Sequence, residues 1–230
     1  GFLTQDAAAR RLKPKENCGR IGLNRKRGIC VEIEVKFSPV EERSFRAMLA
    51  DRALSRPAEP LRRLEMETVY YDDPAHILSA NGWTLRLRRE NGQGICTFKG
   101  RASGLSRLEL ETAAETVEEG AKQLALLPEL PQQARAALAA ERFLPVCGAA
   151  FLRQVQKRQA EGLCFFLSWD EGRLFRGARS APFTEAELEL CGGTEQALAA
   201  LAEEYRRRFD LAFCSRSKQQ QAMALGGEEA

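Results

Sequence analysis

The chain has 230 residues, of which 44% are hydrophobic and 29% charged, with a formal net charge of +3. This composition is typical of a soluble globular protein with one domain or two small ones. No uncharged apolar run reaches the roughly 18 residues of a membrane-spanning helix, and no signal-peptide pattern is visible, so we expect a cytoplasmic protein without a membrane partner. None of the seven cysteines lies in a Cys-x-x-Cys pair, which argues against a zinc site or a disulfide framework.

The charge is divided unevenly along the chain. Residues 1–30 contain eight basic and two acidic residues, a net charge of +6, and show no sustained hydrophobic period. We expect a basic, disordered arm at 1–30 and a single folded domain at 31–230. The remainder of the chain is mildly acidic, so bulk charge does not favour a specific nucleic-acid partner.

The first half of the folded region is predicted to contain mainly strands. Residues 31–37 alternate strictly and predict a strand. Ser38, Pro39 and Glu41 then predict a capped helix start, and the helix should run to about residue 50. Further strands are predicted at 65–72, 83–89, 95–99 and 106–111, with a short turn or helix at 77–82. Asn91-Gly92 is typical of a hairpin turn, here between strands 83–89 and 95–99.

The second half mixes helices and strands. Helices are predicted at about 116–126, where Thr116 and Glu119 form a capping-box pattern, at 131–142 and at 195–208, with a short one starting near Ser217. Strands are predicted at 151–158, 163–170 and 184–190. About eight strands, mostly neighbours in sequence, with helices in the gaps, indicate an α+β fold built on an antiparallel sheet.

Charged and apolar residues alternate along five of these strands, so each has one charged and one apolar face. The charges are also segregated by sign. Strand 184–190 carries Glu185, Glu187 and Glu189 on one face, whereas strand 83–89 carries Arg86 and Arg88. Neighbouring like charges repel, so this segregation costs stability unless counter-ions are present.

Two interpretations of the charged faces remain open. The first is a solvated sheet face, which predicts no affinity for an anion. The second is a binding site, because grouped carboxylates favour a divalent cation and grouped arginines and lysines favour a phosphate-rich anion. A closed eight-stranded antiparallel barrel with a charged interior, flanked by helices, would explain both the alternation and the helices.

Seven segments resemble, in order, the motifs of the CYTH-domain proteins, the triphosphate tunnel metalloenzymes. Glu32-Ile33-Glu34-Val35-Lys36 resembles the E-x-E-x-K signature near the start of that domain. The other matching segments are Leu85–Arg88, Thr97–Gly100, Arg107–Glu111, the aspartate turn Asp170–Gly172, Glu185–Leu190 and Ser217–Lys218. The resemblance covers about residues 31–225 and implies an eight-stranded tunnel that binds triphosphate together with divalent metal ions.

The resemblance implies roles for individual charged residues. Those expected to bind phosphate oxygens are Lys36, Arg86, Arg88, Lys99, Arg107, Lys157, Arg158 and Lys218. Those expected to hold metal are Glu32, Glu34, Glu109, Glu111, Asp170, Glu185, Glu187 and Glu189. Those expected to act in catalysis are Glu32, Glu34, Lys36, Glu187 and Glu189. The implied cofactor is Mg²⁺ or Mn²⁺, with two ions expected. On strand 151–158, Arg153, Lys157 and Arg158 compete for one role, and Lys157 or Arg158 is favoured.

The expected activity is hydrolysis of inorganic triphosphate to pyrophosphate and phosphate, or of a short polyphosphate. A class IV-type adenylyl cyclase, a thiamine or nucleoside triphosphatase, and a non-catalytic polyphosphate-binding module remain alternatives. The carboxylates are intact, which favours catalysis over simple binding. The expected partner is a small-molecule triphosphate, and the expected state is a monomer or a homodimer.

Overall fold

The structure is a computed structural model that describes residues 33–101, 107–139 and 142–226, with only the backbone of Arg101 and Arg107. The predicted basic arm and Glu32 lie outside the described residues. Within the described ranges, no helix is long and apolar enough to cross a membrane.

The described residues form nine strands, six α-helices and a short 3-10 turn. The strands are β1 (Glu34–Phe37), β2 (Arg56–Pro57), β3 (Arg62–Asp72), β4 (Thr84–Glu90), β5 (Gln93–Arg101), β6 (Arg107–Ala113), β7 (Leu144–Ala160), β8 (Leu163–Arg176) and β9 (Arg179–Gly192). The helices are α1 (Glu42–Ala50), α2 (Ile77–Ala80), α3 (Val117–Ala125), α4 (Gln132–Leu138), α5 (Glu195–Phe209) and α6 (Lys218–Met223), and the 3-10 turn follows at Ala224–Gly226.

The strands form one antiparallel sheet in the order β1-β9-β8-β7-β3-β4-β5-β6, and the two-residue β2 pairs with β7. The predicted α+β class with an antiparallel sheet is therefore confirmed. β1 and β6 lie at the two ends of the order, and no strand pairing within the described ranges joins them. The expected closure into an eight-stranded barrel is thus not confirmed.

Several turn and cap predictions are confirmed. Asn91 and Gly92 have φ values of 48° and 85°, as expected for the mirror-image turns that match the twist of a hairpin. The Thr116 hydroxyl caps α3 by accepting a hydrogen bond from the Glu119 N–H. Ser217 begins α6 with a complete capping box.

The prediction that Ser38 caps the first helix is wrong. α1 begins at Glu42 without a side-chain cap, and the Ser38 hydroxyl instead donates to the carbonyl oxygen of Thr184 at 3.0 Å. The long-range contact with β9 takes the side chain away from the helix end.

The predicted turn at Asp170–Gly172 is also wrong, because β8 continues through it to Arg176. Gly172 allows close pairing with β7, since a Cβ there would lie 2.2 Å from the carbonyl oxygen of Ala150. The chain turns later, at Gly177, whose φ of 54° favours glycine. As a result, Asp170 lies inside the sheet.

Helices cover the outer face of the sheet at both ends. At one end, Phe165 and Leu188 pack with Phe45 of α1 and Tyr205 of α5. At the other end, strands β4 to β6 pack against α3 and α4 through a second buried cluster. The amphipathic strands therefore place their apolar residues under helices and leave their charged residues on the opposite, inner face.

The inner face is not wholly charged, in contrast to the expected tunnel interior. Its central strands β3 and β7 carry an apolar cluster that includes Leu64, Met66, Phe151 and Val155, and Ala222 of α6 packs on it. This apolar strip lies between the charged strands on either side, and α6 covers part of it.

Arg158 faces away from the inner face and is fully buried. Its guanidinium donates to the carbonyl oxygens of Leu49 (3.0 Å), Asp51 (2.7 Å) and Ser55 (2.9 Å). Burial lowers the pKa of the Arg158 guanidinium. Because its donors bind the segment that follows α1, Arg158 joins that segment to β7, and the expectation that it binds phosphate is not supported.

We predict that Arg158→Met lowers the free energy of unfolding by about 3 kcal/mol, because buried carbonyl oxygens lose a charged donor. The control is Lys157→Met, since the neighbouring lysine side chain is 30% exposed and should cost less than about 1 kcal/mol. Urea unfolding of both variants measures the difference. Equal losses would contradict the structural role of Arg158.

Candidate active site

Strand register brings the predicted charged residues onto one face. Residues opposite each other in an antiparallel pair project to the same side of the sheet. Lys36 of β1 is opposite Glu187 of β9, Glu185 of β9 is opposite Asp170 of β8, and Asp170 is also opposite Arg153 of β7. Four neighbouring strands therefore contribute charge to one region.

Three carboxylates form the centre of this region, and we call them the carboxylate trio: Asp170, Glu185 and Glu187. One oxygen from each lies within 4.8 Å of the others. Asp170 and Glu185 are 0% exposed and Glu187 is 5% exposed. Such a group of buried acids requires cations in contact with it.

Lys218, the first residue of α6, supplies one of these cations. Its Nζ lies 2.8 Å from Asp170 Oδ2 and 3.3 Å from Glu187 Oε1, and it also donates to Glu185. The ammonium lies 5.1 Å from the ring centre of Phe151, a distance at which an aromatic face attracts a cation. Lys218 thus joins the C-terminal helix to all three acids.

Arg153 supplies the second cation. Its Nε and Nη2 donate to the two oxygens of Asp170 at 2.7 and 2.6 Å, and Nη2 also donates to Glu187 at 2.7 Å. The first of these is a bidentate pair, the strongest form of an arginine–carboxylate interaction. Among the three candidates on β7, Arg153 is therefore the one that joins the predicted site.

Lys36 completes the group from β1. Its Nζ lies 3.0 Å from Glu34 and 3.6 Å from Glu187. The register places Glu34 opposite Glu189, so the E-x-K segment of β1 and the glutamate row of β9 adjoin each other.

The proton affinities of the acids differ because of these contacts. Burial would raise the pKa of Glu187, but Lys218, Arg153 and Lys36 outweigh it and hold that pKa well below the usual value. For Glu185, burial dominates and raises the pKa. Burial would lower the pKa of Lys218, but the trio raises it, so the ammonium stays charged.

A second charged group lies on β4, β5 and β6. Lys99 is 3.2 Å and Arg86 is 3.5 Å from Glu109, while Arg88 is 3.8 Å from Glu111. These five residues are the ones that the R-x-R, lysine and E-x-E segments predict. The structure brings them together on the same sheet face as the trio, separated from it by the apolar strip.

The remaining predicted residues are less central. Lys157 is on the inner face, opposite Phe166, but its Nζ lies 3.3 Å from Glu59 and is partly exposed. Glu32 lies outside the described residues. Arg107 is in β6 with its backbone opposite Arg101, and its side chain is not described.

Two charged residues that the sequence analysis missed line a cavity on this face, namely Arg62 and Glu90. Arg153, Ser168 and Glu189 line the same cavity. The Nε of Arg62 is buried and forms no hydrogen bond with the described residues. The second predicted strand begins at residue 65, whereas β3 begins at Arg62, so Arg62 falls outside the predicted strand. Leu64 and Met66, which share its face, are apolar, so the sequence pattern does not mark this face of β3 as charged.

We predict that Lys218→Met weakens the acid sensitivity of the fold. A glutamate with a lowered pKa contributes stability above the ordinary value of about 4.5, and this stability is lost as the pH falls. Without the ammonium, the pKa of Glu187 rises toward its ordinary value and that of Glu185 rises further. Both changes reduce the loss of stability on acidification.

Urea unfolding between about pH 6 and pH 3 measures this effect. The control is Lys122→Met, which removes an exposed lysine of α3 and should leave the pH dependence of the wild type unchanged. Parallel curves for Lys218→Met and the wild type would contradict the assigned ion pairs.

The chain is similar to several known proteins. An inorganic triphosphatase of Haemophilus influenzae is 25% identical over 179 residues, which cover 73% of this chain and 48% of that protein. The chain thus spans about half the length of this curated relative.

Two solved structures show the same fold. A Hippeastrum protein, described as a putative adenylyl cyclase with dominant triphosphatase activity, has a TM-score of 0.57 at 17% identity and covers 84% of this chain and 95% of its own.

The second solved structure is a putative adenylate cyclase of Bacillus halodurans, with a TM-score of 0.50 at 15% identity over 83% of this chain and 96% of its own. At these identities both structures support the fold alone. Residues 31–222 match the CYTH domain, which is most of the chain. The chain therefore belongs to the CYTH domain family.

Proposed function

We propose that this chain hydrolyses inorganic triphosphate, or a short polyphosphate, in a reaction that requires a divalent metal ion. The observation that carries the proposal is the carboxylate trio, buried on the same sheet face as Lys36, Arg86, Arg88, Lys99 and Arg153. A solvated sheet face would not bury its carboxylates together, because isolated buried charge is costly. Membership of the CYTH family and the likeness to an inorganic triphosphatase support the same activity.

The basic residues suit a chain of phosphates. Arg86 and Arg88 are nearly buried, with side-chain exposures of 12% and 6%, and guanidinium groups match the geometry of phosphate oxygens. Arg86 lies 3.5 Å from Glu109, whereas Arg88 lies 2.9 Å from Glu90 and 3.8 Å from Glu111. A phosphate could replace the longer of these contacts with direct hydrogen bonds.

The trio also suits a hard divalent cation. Mg²⁺ and Mn²⁺ prefer carboxylate oxygens, and Asp170, Glu185 and Glu187 offer one oxygen each within a small space. When bound, such a cation would neutralise charge on the phosphate oxygens and make the terminal phosphorus more reactive. Glu34, Glu109, Glu111 and Glu189 remain further candidate ligands, and the number of ions remains part of the proposal.

The protein's own contribution is positioning and electrostatic stabilisation. Arg153 and Lys218 are held by the trio, so their donors are fixed before any substrate arrives. The lowered pKa of Glu187 makes it a weak base, which suits a ligand or an electrostatic partner better than a proton acceptor. Glu189 lies at the cavity beside Ser168 and Arg153, where a glutamate could orient the attacking water.

The direct test is phosphate release from inorganic triphosphate, ATP and thiamine triphosphate, each with Mg²⁺, Mn²⁺ or EDTA. We expect release from inorganic triphosphate that EDTA abolishes. Faster release from an organic triphosphate would favour the organic triphosphatase, and pyrophosphate with a cyclic nucleotide from ATP would favour the cyclase. Tight triphosphate binding without turnover would indicate a binding module, and the absence of both would overturn the proposal.

We predict that Glu187→Gln lowers kcat for triphosphate by at least about 100-fold, because it removes a charged group beside the reacting phosphates. The isosteric change keeps the size of the side chain. Glu204→Gln, at an exposed position of α5, is the matched control and should keep the wild-type rate. Metal-dependent turnover that survives Glu187→Gln would contradict the role of the trio.

We predict that Arg62→Ala raises KM for triphosphate by about tenfold or more, with a smaller effect on kcat. Its buried Nε is free to donate within the described part of the chain, and a charge-assisted hydrogen bond is worth about 1.5–3 kcal/mol. The neighbouring Arg63 points to the other face and is exposed, so Arg63→Ala provides the control. Equal KM values for the two variants would exclude Arg62 from the site.

A further inference from the structure

Two cysteines lie in contact at one end of the inner face. The Sγ atoms of Cys164 in β8 and Cys191 in β9 are 3.0 Å apart. Cys164 comes two residues before Phe166, and Cys191 comes two residues after Glu189, which is paired with Phe166. The two sulfur atoms, which we call the thiol pair, therefore continue the row of inward side chains beyond the trio. Cys191 packs against the inner apolar cluster.

The other cysteines of the described ranges lack this arrangement. Cys96 and Cys147 are buried, and burial raises their thiol pKa values to about 12 and about 11, so both thiols stay protonated and hard to reach. Cys214 is partly exposed, but its sulfur contacts a backbone carbonyl, that of Arg216. Among the five cysteines that the structure describes, only the thiol pair combines partial exposure with a second sulfur in contact.

The backbone at the thiol pair is suited to a small adjustment. The register of β8 against β9 shifts between Cys164 and Phe165, because Cys164 is opposite Gly192 whereas Phe165 is opposite Leu190. Cys191 is therefore the extra residue of a β-bulge, where the ladder is locally interrupted. A disulfide needs the sulfur atoms to approach from 3.0 Å to about 2.05 Å, a movement of about 1 Å that the bulge can absorb.

The thiol pair also adjoins a charged residue of the candidate site. The pKa of Lys157 is raised, first by its hydrogen bond to Glu59 and to a smaller extent by the sulfur atoms of Cys164 and Cys191. Lys157 is opposite Phe166, two residues from Cys164, so the Lys157 side chain projects from the same sheet face as the Cys164 thiol and is its diagonal neighbour.

We propose that Cys164 and Cys191 are a modification site, at which hydrogen peroxide converts the two thiols into a reversible intramolecular disulfide. One sulfur attacks the peroxide oxygen, becomes a sulfenic acid and releases water. The second sulfur then displaces the hydroxyl group, which leaves as a second water. The two sulfur atoms lose two electrons in total and the peroxide gains them. A small-molecule dithiol reverses the reaction.

The disulfide would link the ends of β8 and β9, the two strands that carry the whole carboxylate trio. The link closes a loop between positions 27 residues apart. It therefore tethers these strands at the Lys157 end of the inner face. Formation of the bond depends on the geometry of the thiol pair alone and does not rest on the proposed function.

The test is to treat the full chain with hydrogen peroxide, block the remaining thiols by alkylation, and map the peptides without reduction. We expect a peptide that joins Cys164 to Cys191 and is lighter than its two reduced parts by two hydrogen atoms. Dithiothreitol should restore both thiols. The matched control Cys214→Ser should form the same link at the same rate, whereas Cys164→Ser and Cys191→Ser should not form it.

The peptide map of the peroxide-treated wild-type chain tests the proposal even if a variant folds poorly. Alkylation of Cys164 and Cys191 as free thiols, after Cys214 has been oxidised, would overturn it. A first disulfide that involves Cys18 or Cys30, or one that joins two chains, would overturn it as well. Irreversible oxidation of Cys164 or Cys191 without a disulfide between them would also overturn the proposal.

Discussion

The ion pairs between the carboxylate trio and two buried cations are the interaction on which the inner face depends. Asp170 and Glu185 are completely buried, and a buried carboxylate without a partner would cost several kcal/mol. Arg153 from β7 and Lys218 from α6 remove this cost by direct contact. The trio therefore ties together three neighbouring strands and the C-terminal helix.

The need to pair buried charges follows from the way the helices cover the sheet. The strands at the two ends of the sheet have apolar residues on one face, and α1, α3, α4 and α5 bury them on the outside. The charged residues must then face inward. There they can be neutralised only by one another or by ligands, because water has limited access. Opposite charges on adjacent strands, such as Lys36 and Glu187, supply that neutralisation.

Much of this arrangement could be predicted because alternation is a local property of the sequence. The rows Glu185, Glu187, Glu189 and Arg86, Arg88 reveal their faces without any knowledge of tertiary structure. The choice between Arg153 and Arg158 could not be made in this way. Near Arg158, β7 has buried side chains on both faces, with Gln154 and Arg158 on one and Val155 on the other. The sequence there does not alternate clearly between apolar and polar residues, so it does not show which face each residue occupies.

Other features depend on contacts between distant parts of the chain. Asp-Glu-Gly is a local turn signal, but pairing of β8 with β7 on one side and β9 on the other extends the strand through it. The contact of Lys218 with the trio requires α6 to fold back over the inner face. The closeness of Cys164 and Cys191 depends on a one-residue bulge that no local pattern indicates.

The charged side chains of the inner face already contact opposite charges, and this affects which ligand the face could bind. The trio is already satisfied by Arg153 and Lys218, and Arg86 and Arg88 already have glutamates nearby. A bare anion would have to compete with those glutamates, and a bare cation would have to compete with the guanidinium and ammonium groups. A complex of polyphosphate with a divalent cation carries both kinds of charge, so its phosphates could take the basic groups while its metal takes the carboxylates. Every buried charge then keeps a partner. A face with segregated but mutually paired charges is therefore better suited to a metal–polyphosphate complex than to either component alone.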